Sequence, residues 1–211
     1  TYSKAMNRVD DDGWANASWN SADLLYKNYG PAGYDRTHIF QMGFVADLPF
    51  GKGKNDALST IVKDWSVNGL FSAFTGTPFQ LTASGASVNA RGNQQTPDLV
   101  GTPTKLGGIG PNNPYYDPSA WAPITAVAFG NVGRDTVYGP GWWNIDLSLF
   151  RRFPIGQKVT LEARIEAFNL TNTPHFNNPD GNVNDVGFMT INSTSANSPE
   201  RQFRIGARIQ F

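Results

Sequence analysis

Apolar and polar residues alternate one for one through most of the last third of the chain. From Trp142 to Phe153 one set of alternate positions reads Trp143, Ile145, Leu147, Leu149, and the other reads Asn144, Asp146, Ser148, Phe150, Arg152. From Val159 the split is Val159, Leu161, Ala163, Ile165, Ala167 against Thr160, Glu162, Arg164, Glu166, Phe168. At the end of the chain Phe203, Ile205, Ala207, Ile209 and Phe211 alternate with Gln202, Arg204, Gly206, Arg208 and Gln210. Successive side chains of a strand point to opposite faces, so each segment is a ribbon with one oily and one charged side. A helix would place Glu162 and Glu166 together and scatter the apolar residues around its cylinder, so helix is rejected.

Two earlier segments follow the same rule less cleanly. Between His38 and Phe50, Phe40, Met42, Phe44, Ala46 and Leu48 face one way, while Gln41, Gly43, Val45 and Asp47 face the other. From Trp65 to Leu81, Val67, Gly69, Phe71 and Ala73 oppose Ser66, Asn68, Leu70 and Ser72. The pattern predicts strands near 37–50, 65–82, 142–155, 159–172 and 200–211, with residues 1–7 as a stub. Gly156-Gln157-Lys158 is a short turn, which makes its flanking strands an antiparallel hairpin. Residues 51–64 form a modest link. Residues 8–36, 84–141 and 174–198 are long connections rich in Gly, Pro and Asn, and 84–141 holds seven of the fourteen prolines. Connections of that length inside a compact domain are usually functional.

Long links at one edge and short ones at the other describe an antiparallel transmembrane β-barrel with outer loops and periplasmic turns. Alternating runs of about 11–14 residues exceed the strands of a soluble sandwich and suit a tilted crossing of hydrocarbon. Trp65, Trp142, Trp143, Phe153, Phe203 and Phe211 lie near the ends of runs, where interfacial girdles sit. Five spans and a stub fall short of the roughly eight strands of the smallest membrane barrels. The expectation is therefore the C-terminal part of one larger barrel domain.

Composition narrows the field. Lys+Arg and Asp+Glu are equal at 17 each, which argues against a basic nucleic-acid binder. There is no cysteine, hence no disulfide, thiolate metal site or cysteine nucleophile. No run approaches the 18–20 or so apolar residues of a membrane-crossing helix. The opening Thr1-Tyr2-Ser3 has neither a basic region nor an apolar one, so an export signal is expected to be missing from this stretch.

Several stretches carry a family resemblance. They are Tyr34-Asp35-Arg36-Thr37-His38, Asp47-Leu48-Pro49-Phe50-Gly51-Lys52-Gly53, Trp65-Ser66-Val67-Asn68-Gly69, Phe74-Thr75-Gly76-Thr77-Pro78-Phe79 and Phe129-Gly130-Asn131-Val132-Gly133-Arg134. Gly139-Pro140-Gly141-Trp142-Trp143-Asn144-Ile145-Asp146 and Glu166-Ala167-Phe168-Asn169-Leu170-Thr171-Asn172 complete them. In order and spacing the chain resembles the C-terminal barrel segment of TonB-dependent outer-membrane receptors. The likeness is to the Oar-like group, which carries a carboxypeptidase-regulatory-like domain. The terminal strand resembles the signal read by the barrel-assembly machinery, with Arg204, Gly206, Ile209 and Phe211 in the matching places. The resemblance implies an outer-membrane location in a Gram-negative bacterium and a plugged barrel of about 22 strands. It also implies a plug domain, a TonB box and energised uptake of an unidentified ligand, all coupled through N-terminal parts that this sequence lacks. A passive structural or adhesive barrel and a soluble carbohydrate-binding β-sandwich are the alternatives.

No enzyme chemistry is expected. The histidines, His38 and His175, stand at a strand start and a loop entry, without a Gly-x-Ser-x-Gly elbow. Glu162 and Glu166 could be read as a glycosidase pair, but Arg164 between them, with Arg204 and Arg208 nearby, favours ion pairing in a wet lumen. Asp146 and Arg152 join that lumen-facing set. Gly51-Lys52-Gly53-Lys54 lacks the rest of a phosphate loop. Asp10-Asp11-Asp12-Gly13 lacks the Glu of a calcium hand, since Ser21 stands in its place. No cofactor or metal is expected, and lipid, the assembly machinery and the TonB complex are the expected partners. Ligand contact is placed in the 84–141 connection, on Tyr115, Tyr116, Asp117, Trp121 and Arg134, whose aromatic, carboxylate and guanidinium groups suit sugars or peptides.

Overall fold

The computed structural model describes residues 1–9, 17–50, 63–155, 158–196 and 200–211. The Gly156-Gln157 turn, the Gly51–Lys54 run and the Asp10–Gly13 cluster lie outside the described residues.

Strands appear in the order β1 (Met6–Asn7), β2 (Gly30–Pro31), β3 (Ile39–Asp47), β4 (Trp65–Phe74), β5 (Pro78–Phe79) and β6 (Asp98–Leu99). They continue with β7 (Trp121–Ala122), β8 (Val137–Tyr138), β9 (Trp142–Ile155), β10 (Val159–Phe168) and β11 (Gln202–Gln210). Two 3-10 segments, Ala22–Asn28 and Pro118–Ala120, are the helical content of the described residues. The fold is all-β, and the strand pairs β1–β2, β5–β8, β6–β7, β9–β10 and β10–β11 are antiparallel. The chain divides into two compact units: Thr1–Ile39 with Phe74–Gly141 and His175–Ser195, and Phe40–Ala73 with Trp142–Pro174 and Ala196–Phe211.

The second unit is the ribbon unit. Its five long strands form one sheet in the order β11-β10-β9-β4-β3, so neighbours in space are neighbours among the long strands of the chain. Alternation fixes the register, because a one-residue slip would turn every side chain to the wrong face. Ile165 stands between Leu149 and Ile205, while Glu166 stands between Ser148 and Arg204. On the apolar face Phe40, Phe71 and Trp143 form an aromatic row across three strands, with ring centroids 5.9 and 6.3 Å apart. Next to it, Gly69 leaves room for Phe44 and Leu147 to close over β4; a Cβ there would lie 2.6 Å from both. The apolar stripe of β9 is interrupted at Arg151, which is buried, lies opposite Ala163 and places its guanidinium 4.5 Å from the Phe153 ring centre.

The strands end where local chemistry stops a ladder. β10 stops at Phe168, short of the expected 172, because Asn169 and Asn172 adopt φ of 49° and 52°. Asn169 Oδ1 accepts from the Thr173 amide at 2.9 Å, and its amide nitrogen donates to the Thr173 carbonyl at 3.1 Å, closing the turn on itself. β3 ends before Pro49, which has no amide hydrogen to give a ladder. β4 ends at Phe74 instead of running to 82. Past it, Gly76 lies against the Gly139 backbone with no room for a Cβ. Pro78–Phe79 then pairs with Val137–Tyr138 as a separate ribbon.

The first unit is built from the connections. The segments expected as long loops, 8–36, 84–141 and 174–198, supply most of it. Two-residue strand pairs and an apolar core hold it together, with Phe79, Leu81, Ala120, Trp121, Val132, Val137, Phe188 and Met189 in that core. Trp121 meets Phe188 and Tyr116 edge to face at 6.0 and 6.2 Å. Trp19 is fully buried, and its indole nitrogen donates to the Gln94 carbonyl at 2.8 Å.

Candidate functional site

The charged face of the ribbon unit carries a continuous ion-pair ladder. Arg152 Nε reaches Glu162 Oε2 at 3.0 Å, and Arg164 donates to Glu162 Oε1 at 2.7 Å. The same Arg164 lies 3.5 Å from Glu166 Oε1, and Arg204 lies 3.9 Å from Glu166 Oε2. Strand pairing brings this about, because Glu162 stands opposite both Arg152 and Arg208, and Glu166 opposite Arg204. The Glu162 side chain is 6% exposed while its arginine partners remain open to solvent. Asp146 serves the backbone turn, accepting from the Asn169 amide at 2.8 Å and from the Asn144 side chain at 2.9 Å. A groove of about 480 Å³ runs along this face past Asn68, Asp146, Ser148, Glu166 and Phe168. The face so made is polar, and both glutamate carboxylates are engaged with guanidiniums.

The terminal strand β11 is exposed along its whole length. Arg204 lies over the Phe168 ring, 5.2 Å from its centre, on the charged face. A Cβ at Gly206 would meet nothing within 4 Å, so no neighbour among the described residues demands glycine there. Ile209 and Phe211 are exposed on the opposite side.

In the loop unit the five ligand-contact candidates separate. Tyr115 is 4% exposed, its amide donating to the Met189 carbonyl at 2.7 Å. Arg134 is equally buried, donating to the carbonyl oxygens of Asn7, Gly30 and Pro31, to the Asn7 side chain, and lying 3.6 Å from Asp135. Those two hold the unit together and present no surface. Asp117 caps the short segment Pro118–Ala120, accepting from the Ser119 hydroxyl at 2.7 Å and amide at 3.0 Å. These bonds hold its carboxyl below the ordinary carboxylate range. Tyr116 and Trp121 are different: both line an open cavity of about 420 Å³. Tyr138, an aromatic of the 84–141 connection where ligand contact is expected, shares that cavity, as does Thr136, which the sequence did not single out; the Val137–Tyr138 pairing with β5 puts them there.

A second buried group escapes sequence reasoning altogether. Lys27 is 5% exposed, and its ammonium donates to the Thr96 hydroxyl and the Gly130 carbonyl and lies 5.1 Å from the Trp19 ring centre. Gln95 completes the cluster by accepting from the Gly130 amide at 3.0 Å. Burial pushes the Lys27 ammonium below its usual 10.5, with Asp98 opposing the shift. The folded chain therefore binds this proton less tightly than the unfolded one, and stability rises with pH across the window that ends near 10.5. Tyr116 acts in the opposite sense. Burial raises its phenol above 10.0, so its contribution is full below that value and is lost above it. Protease resistance of the loop unit should climb as pH rises towards about 10 and decline beyond, and Lys27→Met should flatten the climb.

Among the described residues, no three His, Asp or Glu side chains gather as a metal site, and no helix is long and apolar enough to cross a membrane. No curated protein and no solved structure matches the chain. Residues 1–204 do match one family, described as "Outer membrane beta barrel domain". With strands oily on one side and charged on the other, and with nearly its whole length matched, the chain belongs to the outer-membrane β-barrel domain family.

Proposed function

We propose that the chain is the C-terminal part of a TonB-dependent outer-membrane receptor of the Oar-like kind, non-enzymatic and serving uptake of a ligand. The observation that carries the membrane half of this reading is the division of the sheet into an aromatic and aliphatic face and a face bearing the Arg152–Glu162–Arg164–Glu166–Arg204 ladder. Lipid covers the first, and a water-filled lumen hydrates the second. Edge strands β3 and β11 each leave a row of backbone groups to be paired, and in hydrocarbon an unpaired group costs several kcal/mol. Further strands, about 22 in all, close the barrel in this reading. β11 with Arg204, Gly206, Ile209 and Phe211 is the strand offered to the assembly machinery by β-augmentation. The TonB complex acts through a plug and TonB box encoded upstream.

Uptake is supported by the Oar-like order of motifs and by the cavity that the 84–141 connection forms. The test is direct: the upstream gene should encode a plug and a TonB box, and deleting the box should abolish energised uptake. A barrel without either would be a passive structural or adhesive one. Face assignment has its own readout. In otherwise cysteine-free protein, Arg164→Cys should react with a membrane-impermeant charged maleimide in outer-membrane vesicles, and Ala163→Cys should not. Equal reaction at both positions would overturn the lipid-facing assignment.

A further inference from the structure

We propose that the cavity of the loop unit binds an uncharged saccharide of one or two rings. The inference rests on the ligand-uptake reading and adds to it a place and a chemical class. The cavity of about 420 Å³ falls within the roughly 300–1,000 Å³ of small-molecule sites. Trp121 and Val137, both nearly buried, form an apolar floor, and Tyr116 adds a half-buried ring. Exposed Thr136 brings a hydroxyl, Tyr138 brings its backbone carbonyl, and Asn131 brings an amide.

This combination selects a ligand by what it lacks as well as by what it has. Among the described residues, no Lys, Arg, His, Asp or Glu lines the cavity. A phosphate, carboxylate or ammonium entering it would shed water with no charged lining side chain to meet it, the Lys105 ammonium acting on Tyr116 from outside the lining. Burial raises the phenols of both Tyr116 and Tyr138, so they remain neutral hydroxyls across the physiological range. The Tyr116 hydroxyl donates to the Tyr138 carbonyl at 2.9 Å, which leaves its oxygen as an acceptor for a ligand hydroxyl. A sugar ring has an apolar C–H face for the aromatic floor and a rim of hydroxyls that both give and accept hydrogen bonds. Asn131 is held in place by its own backbone bonds, accepting from the Leu99 amide at 2.8 Å, so the rim is set before a ligand arrives.

The experiment titrates the full-length protein in detergent with maltose, cellobiose and lactose, following tryptophan fluorescence, with glucose 6-phosphate as the charged comparator. At least one disaccharide should give a saturable change, and glucose 6-phosphate should give none up to the same concentration. Pro103→Trp and Thr136→Trp fill the mouth from exposed positions. Each should weaken the disaccharide at least tenfold while circular dichroism stays unchanged. The proposal is overturned if no disaccharide saturates, if the phosphosugar binds as well, or if both filled variants bind as the parent does. Binding is read without energy coupling, so loss of TonB-dependent uptake with intact disaccharide binding would fault the transport reading alone.

Discussion

Ile165→Arg should lower the stability of the lipid-embedded barrel by about 2–4 kcal/mol, the usual cost of a guanidinium at the lipid-facing midplane of a barrel. Ile165 stands in the middle of β10 with Leu149 and Ile205 on either side, so no acidic group lies directly across from the new charge. Glu166→Arg, one residue along, puts the same side chain on the wet face, where water and counter-ions screen it beside Arg164 and Arg204. Its cost should be clearly smaller. Urea or guanidinium unfolding in lipid vesicles measures both, and equal losses would contradict the division of faces.

Gly130→Ala should be among the most damaging single-methyl changes in the loop unit, at about 3 kcal/mol, the upper end for overpacking. A Cβ at this position would overlap the Thr96 carbonyl oxygen and come within 2.6 Å of the Pro97 carbonyl oxygen. Backbone atoms cannot swing aside as a side-chain tip can. The same residue accepts from Lys27 and donates to Gln95, so any shift also loosens a buried polar cluster. Limited proteolysis should cut the loop unit of the variant at much lower protease concentration. Far-ultraviolet strand signal should persist. Resistance equal to that of the parent would show that the backbone yields more easily than this packing allows.

The contrast between these two positions also explains how far the sequence was readable. Ile165 and Glu166 sit in a run where every neighbour repeats the same one-in, one-out choice. That repetition announces strand, direction and face together. The all-β, antiparallel reading follows from it. The ends of strands were less legible, because they depend on conformations that alternation does not encode. Asn169 in the left-handed region halts β10, and the close contact of Gly76 with Gly139 follows the end of β4. Least legible was the loop unit. Its core residues are spaced irregularly, from Trp19 through Trp121 to Met189, and its ribbons are two residues long. No period exists there to be found. Prolines and asparagines that read as plain loop mark a compact unit held by side-chain-to-backbone bonds. Of the five residues proposed to touch a ligand, Tyr115, Trp121 and Arg134 are interior, Trp121 alone of them bordering the cavity, since aromatic and charged groups suit packing as well as recognition. Lys27 gave no signal because a lone lysine next to Tyr26 reads as surface.

The ladder of alternating signs has a kinetic corollary for a chain that must be threaded into a bilayer. Sliding β11 by two residues in either direction keeps every oily side chain outward, so lipid alone cannot detect the error. Either slide would, however, set Arg164 against Arg208 or Arg204 in place of Gly206 and take from Glu162 and Glu166 the β11 arginines that face them, leaving Glu162 only Arg152 across from it. Electrostatics thus proofreads what hydrophobicity leaves degenerate, and a mis-threaded hairpin can re-seat before the strands above and below it are locked.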